Sequence, residues 1–281
     1  MQKIIAFAGT RQSGKSTAAK FITGYRMKQA GSLKWFDVDK DGDLLVSSAA
    51  KNDDGSVVER KGILDIYRQD EEFAAYAYEK IWPYCRIYSF ANVLKQTAIT
   101  VFGLNPKFIY GNNDDKNQPT HIRLLDIWLM LPFERQMDYA RQHKLLPDPL
   151  PETFQLEFPP EDIMLTHREV LQDFGSICRA FNNDCWVNAC IRQILMEEWP
   201  YVIIDDCRYL NEINKLKSIG AKVVLFERKP FEDNHASEQV HTYDRSLFDF
   251  VINNTDLTLE AKNNQLIELL QGCGWTELEL N

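Results

Sequence analysis

Residues 9–16 read GTRQSGKS, directly behind the apolar run KIIAFA and ahead of TAAKFITGYRMKQA. The stretch meets every fixed position of G-x-x-x-x-G-K-[ST], a pattern that works only where a strand delivers a glycine-rich turn to the start of a helix. Its surroundings supply that context. KIIAFA is the short continuous apolar run of a strand buried on both faces, and residues 13–30 read as a helix. The chemistry follows from the residue types. Glycines let the backbone curl into a nest of N–H groups, the helix start faces an anion, Lys15 reaches terminal phosphate oxygens, and Ser16 offers a hydroxyl to Mg²⁺. Gly9, Arg11, Ser13, Gly14, Lys15, Ser16 and Thr17 are the expected ATP contacts.

Further strands are expected at RIYSF (86–90), YVIIDD, AKVVLFER and FDFVINN. Helices are expected at 69–84 and at ANVLKQTAITVFGL, THREVLQDFGSICRAF, DCWVNACIRQILMEEW, YLNEINKLKSIG and LTLEAKNNQLIELLQGCG. Strands alternating with helices imply a parallel sheet covered by helices on both faces, with ligands at the carboxyl ends of the strands. Two regions break the pattern. Residues 31–68 alternate short β-prone runs with Asp-Gly turns, the mark of an antiparallel β-hairpin insert. Residues 104–165, rich in Asn, Asp and Pro, read as a loop-rich insert around one or two helices. The polar stretch 229–245 reads as a lid-like loop. With these inserts, residues 1–281 read as one α/β domain.

Composition removes several function classes. A net charge of −9 argues against general nucleic-acid binding, which needs a cationic face. No apolar run reaches the roughly 18 to 20 residues of a membrane span, and the N-terminus runs straight into a strand without a leader pattern, so a cytoplasmic protein is expected. Six cysteines form no C-x-x-C pair and have no histidine at zinc-ligand spacing, which suits buried thiols in a reducing compartment. Asp37, Asp39, Asp41 and Gly42 match the first half of a calcium loop, but position 12 is Ser48 and a hairpin turn explains the same residues.

A phosphate loop needs a carboxylate near its metal, and Asp205-Asp206 ends the apolar run YVII. An Asp there also suits a strand-to-helix turn. An N-K-x-D base-recognition run of GTPase switches is missing, and the basic surface of a motor is not expected at this charge. A small kinase instead needs cations to offset the repulsion of two phosphorylated substrates. Arg168, Arg179, Arg208 and Arg228 are candidates, the last two at strand ends on the phosphate edge.

GTRQSGKS, SFANVLK (89–95), THREVLQDFG (166–175), Arg179, Trp186, DCRYLNE (206–212) and HASE (235–238) together resemble the deoxynucleoside monophosphate kinase family of tailed bacteriophages. The resemblance spans the core from both ends of the chain and is weak over 31–85 and 117–160. It implies a P-loop kinase core that moves the γ-phosphate of ATP to deoxynucleoside monophosphates for DNA precursor synthesis, in the cytoplasm of an infected bacterium. ATP and Mg²⁺ are the implied cofactors, and the implied partners are small-molecule substrates, with no nucleic acid and no membrane. Family members are often homodimers, though nothing in the sequence identifies an interface.

Carried over by position, Lys15, Arg168, Asp206 and Arg208 are catalytic, with Ser16 and Asp206, rather than Asp205, on the metal. Lys95, Lys116, Arg168, Gln172, Arg179, Trp186, Arg208 and Glu212 line the acceptor pocket. Arg228 and Asn254 lie on the ATP side, Asn254 near the adenine. His235, Ser237 and Glu238 match a loop motif without a derived role. Trp186 suits stacking on a base, and equally a core position on an amphipathic helix. Two other readings stay open: a kinase for another small acceptor, and an ATP-dependent regulatory module without kinase activity.

Overall fold

A computed structural model of the chain describes residues 2–51, 57–149, 151, 155–228, 240–255 and 257–275. In chain order the elements are β1 (Lys3–Ala8), α1 (Lys15–Gln29), β2 (Phe36–Val38), β3 (Leu44–Lys51), β4 (Val57–Ile63), α2 (Glu71–Lys80), β5 (Arg86–Tyr88) and α3 (Phe90–Phe102). They continue with α4 (Pro106–Tyr110), α5 (Asn113–Lys116), β6 (Pro119–Arg123), α6 (Leu124–Ile127), α7 (Phe133–Gln142), β7 (Met164–Thr166), α8 (His167–Phe181) and α9 (Cys185–Glu197). The last five are β8 (Tyr201–Cys207), α10 (Leu210–Ser218), β9 (Lys222–Glu227), β10 (Phe250–Asn253) and α11 (Leu259–Gly272). Among the described residues no helix is long and apolar enough to cross a membrane.

The chain divides into two compact units, one of Met1–Phe90 with Val187–Asn281 and one of Ala91–Trp186. The sequence reads as one domain with two inserts; the second unit takes in the 104–165 insert together with the helices on either side of it.

The first unit is α/β. Its sheet has the order β10-β9-β1-β8-β5, and every pairing is parallel. Alternate side chains sort by the pleat. Ile5, Phe7, Tyr201, Ile203, Val224, Phe226 and Ile252 pack with Ala18, Phe21 and Ile22 of α1 and Leu266, Leu269 and Leu270 of α11. The opposite set, Ile4, Ala6, Val202, Ile204, Val223 and Leu225, is equally buried, and α10 packs on β9. Helices thus cover both faces, the arrangement a buried parallel sheet requires.

Within 31–68, β2, β3 and β4 form a three-stranded antiparallel sheet in the order β2-β3-β4. The calcium-like stretch is its first turn: Asp39 Oδ1 accepts the backbone N–H groups of Asp41 at 3.0 Å and Asp43 at 2.8 Å. The Asp39 carboxylate thus helps to close the hairpin turn. Val38 and Leu44 enter the same core as α1, and Phe36 meets Phe21 with ring centroids 5.6 Å apart. Gly24, inside α1, allows this approach: a Cβ there would lie 2.5 Å from Phe36 Cδ2 and 2.8 Å from Leu44 Cδ1.

The second unit has its own core of Leu104, Ile109, Leu124, Trp128, Tyr139, Leu165 and Val170. It is more regular than its composition implies, with α4 to α7 and the antiparallel pair β6-β7 inside 104–165. The polar residues that resemble loop formers start helices. Asn105 Oδ1 accepts the N–H of Lys107 at 2.9 Å ahead of Pro106, and Asn112 Oδ1 that of Asp115 at 2.9 Å. Buried Asp173 holds this core through Tyr139, 2.5 Å away, and Arg135, 2.8 Å away.

All six cysteines are free thiols, with Cys85, Cys190 and Cys207 buried. Burial pushes the Cys85 thiol up to about 12, so it stays protonated and packs as a small apolar group. Most of the 229–245 stretch, with His235, Ser237 and Glu238, lies outside the described residues.

Candidate functional site

The 9–16 loop leaves β1 at the carboxyl edge of the sheet and turns into α1. Gly14 has φ +100°, and a Cβ there would lie 2.5 Å from Asn254 Nδ2. Only glycine meets both conditions. Gln12 also takes the left-handed region, φ +58°, a cost a non-glycine residue bears only inside a tightly determined turn. Two tethers hold the loop from the neighbouring strand ends. Asn254 donates to Ser13 O at 2.8 Å, and Thr10 Oγ1 donates to Arg228 O at 2.7 Å. Asn254 thus acts here as a tether for the loop, where an adenine contact was expected.

Lys15 is buried inside the turn it opens. Its ammonium donates to Gly9 O at 2.8 Å, Thr10 O at 2.5 Å and Ser13 Oγ at 3.2 Å. A cation is therefore held at the base of the loop by neutral oxygens. The first turn of α1 carries no acidic residue, so the helix start and Lys15 bring positive potential to the loop.

The pleat separates the two consecutive carboxylates. Asp205 shares the parity of Tyr201 and Ile203, on the α1 face, and is 6% exposed. Tyr67 Oη donates to its Oδ2 at 2.5 Å. Burial and the charge of Asp206 push the Asp205 carboxyl up to about 7, opposed by Tyr67 and Lys15. Asp206 turns to the other face and caps α3, accepting from Ser89 Oγ at 2.7 Å and Phe90 N at 2.9 Å. The resemblance points to Asp206 for the metal; the carboxylate electrostatically coupled to Lys15 and bonded to Tyr67 is Asp205. Tyr67 carries no sequence signal, because it belongs to the segment between β4 and α2, distant in sequence from the strand whose Asp205 it meets.

Other expected residues of the first unit have structural partners. Glu212 is buried and accepts the backbone N–H groups of Arg208 at 2.8 Å and Tyr209 at 3.0 Å, which closes the N-terminus of α10. The resemblance places Glu212 in the acceptor pocket; in the fold, a carboxylate three residues into the helix takes these amides. Arg208 follows β8 and Arg228 follows β9, both at the loop's edge of the sheet, and Arg228 is exposed. Lys262, which the sequence reading missed, is 4% exposed in α11, and burial and the charge of Arg228 push its ammonium down to about 8.

In the second unit, Arg168, Gln172, Gly175 and Arg179 form one stripe of α8, within about 60° at 100° per residue. Arg168 donates to Asn117 Oδ1 and Asn113 Oδ1, both at 3.0 Å. Both acceptors are neutral amides, so its charge is uncompensated by them. Gln172 is exposed. Lys95 lies over the Tyr110 ring, 5.0 Å from its centroid, and Lys116 ends α5 between those two asparagines. Trp186 departs from the base-stacking reading. It is 7% exposed, its indole N–H donates to Gly175 O at 3.2 Å, and its ring meets Phe174 edge-on at 5.7 Å. The apolar side of α8 claims the large ring, so the core position is the one realised.

Among the described residues no three His, Cys, Asp or Glu side chains group as metal ligands. A magnesium ion at Ser16 fits this site on other grounds: it draws most of its oxygens from phosphates and water, and Asp205 supplies the nearby carboxylate. No protein-family model matches the chain, and no curated protein matches it in sequence.

Proposed function

We propose that the chain is an ATP-dependent deoxynucleoside monophosphate kinase, the family its motifs resemble. The observation that carries the reading is the 9–16 loop, a strand-to-helix turn with Gly14 in the left-handed region, Lys15 buried within it and the Asp205 carboxyl nearby. An anion entering the loop replaces the backbone oxygens around the Lys15 ammonium with phosphate oxygens, a stronger, charge-assisted pairing. The N–H groups at the start of α1 bind the same phosphates. Ser16 and Asp205 would hold Mg²⁺, which when bound offsets phosphate charge and orients the transferring group. The Arg168, Gln172 and Arg179 stripe supports an anionic acceptor, because it offers two cations on one helix face beside the small Gly175. Phosphoryl transfer breaks the bond between the β,γ-bridging oxygen and the γ-phosphorus and forms one to an oxygen of the monophosphate. It needs positioning and positive charge more than a general base.

The test is ADP release, coupled to an optical readout, with each deoxynucleoside monophosphate and its ribose counterpart. Turnover that requires a deoxynucleoside monophosphate and collapses in Lys15→Ala is expected. ATP hydrolysis indifferent to every monophosphate overturns the proposal.

A further inference from the structure

Helix α11 follows β10, so its first turn opens at the same edge of the sheet as the 9–16 loop, with β10 two strands from β1 in the sheet order. Thr258 caps it, accepting the N–H of Ala261 at 3.2 Å. The end of β9 lies beside it: the backbone N–H of Asn254 and the hydroxyl of Thr255 both donate to Glu227 O, at 3.1 and 3.2 Å, and Arg228 comes next in the chain with its side chain exposed.

Lys262 is the fourth residue of α11 and is 4% exposed. It shares a stripe with Leu266, Leu269 and Leu270, the side of the helix that packs on the sheet. Helical side chains lean toward the helix N-terminus, so the long lysine stem carries its ammonium back over the first turn, away from the leucines. Among the described residues Lys262 makes no hydrogen bond and no ion pair. Glu260, the acidic residue of the same turn, is exposed and lies about 160° around the helix. The carboxylate ending β9, Glu227, is bound to Arg245 at 2.5 Å.

We propose that the first turn of α11 is a binding site for a tetrahedral oxyanion of the phosphate class, held by the Lys262 ammonium and the backbone N–H groups of Leu259 and Glu260, with Arg228 closing it from the end of β9. The inference goes beyond the phosphate-loop reading and does not need it. Burying an ammonium without a partner is costly, and an opposite charge offsets that cost. The charge of Arg228 adds to the cost, yet Lys262 stays protonated at neutral pH. The first amides of a helix have no acceptor within it and favour an anion. A phosphate offers enough oxygens to meet an ammonium, a guanidinium and two amides at once. Free inorganic phosphate and a phosphate group of a nucleotide share this chemistry.

Calorimetric titration of inorganic phosphate into the full chain carrying Lys15→Ala, with ionic strength held constant by chloride, tests the site with the loop cation removed. Saturable binding is expected, and adding Lys262→Met should weaken it about tenfold, the worth of one charge-assisted hydrogen bond. Arg228→Ala should weaken it by a smaller factor. Phosphate should also raise the urea midpoint of the Lys15→Ala chain by more than that of the chain with both substitutions. No saturable binding, or equal affinity with and without Lys262, overturns the site. Should Lys262→Met not fold, Lys262→Gln carries the same comparison. ADP titrated into the chain with Lys15 intact separates the sources once the phosphate site is found: a similar loss of ADP affinity in Lys262→Met assigns the site to a nucleotide phosphate, and unchanged ADP affinity assigns it to free phosphate.

Discussion

Asp205 and Asp206 are adjacent and chemically identical, yet the strand gives them different work. Asp206 accepts two hydrogen bonds at the start of α3, so Asp206→Asn should lower stability by roughly 1 to 2 kcal/mol, the range of a helix cap. Asp205→Asn should leave the urea midpoint within experimental error or raise it, and reduce turnover at least tenfold, since it removes a buried carboxyl already costly to ionise. Urea unfolding with a coupled kinase assay separates the two; the opposite pattern would reassign the carboxylates. Lys262 gives a pH dependence of known sign. Its folded pKa is lowered to about 8 from an ordinary 10.5. Between these values the unfolded chain binds more protons, so stability rises with pH across that window, while below 8 both states are protonated and the full cost of burying the charge is present. Lys262→Met should be more stable than wild type at pH 7 and should flatten the rise between pH 8 and 10.5. Urea midpoints measured at half-unit steps check this.

Helix α1 is held at its start and at its middle by different physics. Its N-terminus is shaped by the loop, and its middle by Gly24, which admits Phe36 and Leu44. In an isolated helix, Ala in place of Gly gains about 1 kcal/mol. Here the new methyl would sit 2.5 Å from the Phe36 ring, and overpacking of this kind costs about 1 to 3 kcal/mol. Gly24→Ala should therefore be net destabilising by about 1 kcal/mol in urea unfolding, with Gly24→Val worse. It should also weaken ADP binding, because β2 and β3 carry the turn fixed to Lys20 and lead toward Tyr67. A stabilised Gly24→Ala would mean that the insert does not pack against α1 at this point.

The central strand of the first unit, β1, pairs with β8 and β9, some 190 and more residues later. A fragment ending at Trp186 keeps the whole GTRQSGKS motif but has none of the strands that flank β1, nor Asn254 to hold Ser13. It should bind no ADP, and adding residues 187–281 by co-expression should restore binding; a fragment that binds alone would show that the loop is set locally. Long-range pairing of this kind also makes folding slow relative to a helical domain of equal size.

The same separation sets how much of the fold is legible in the sequence alone. The parallel α/β core, the succession of strands and helices, the antiparallel insert and the strand-to-helix turn at 9–16 were legible, because each depends on residue period or on glycine within a few positions. The helices of 104–165 were only half legible, since Asn and Pro mark a helix start and a loop alike. The different surroundings of Asp205 and Asp206, the burial of Trp186, the capping by Glu212, and the contacts of Tyr67, Asn254 and Lys262 came only from the folded chain. Local chemistry specifies which group can bind a phosphate. Which neighbours that group receives depends on the pleat of a strand and the packing of an insert, and those are settled only when segments from both ends of the chain meet in one sheet.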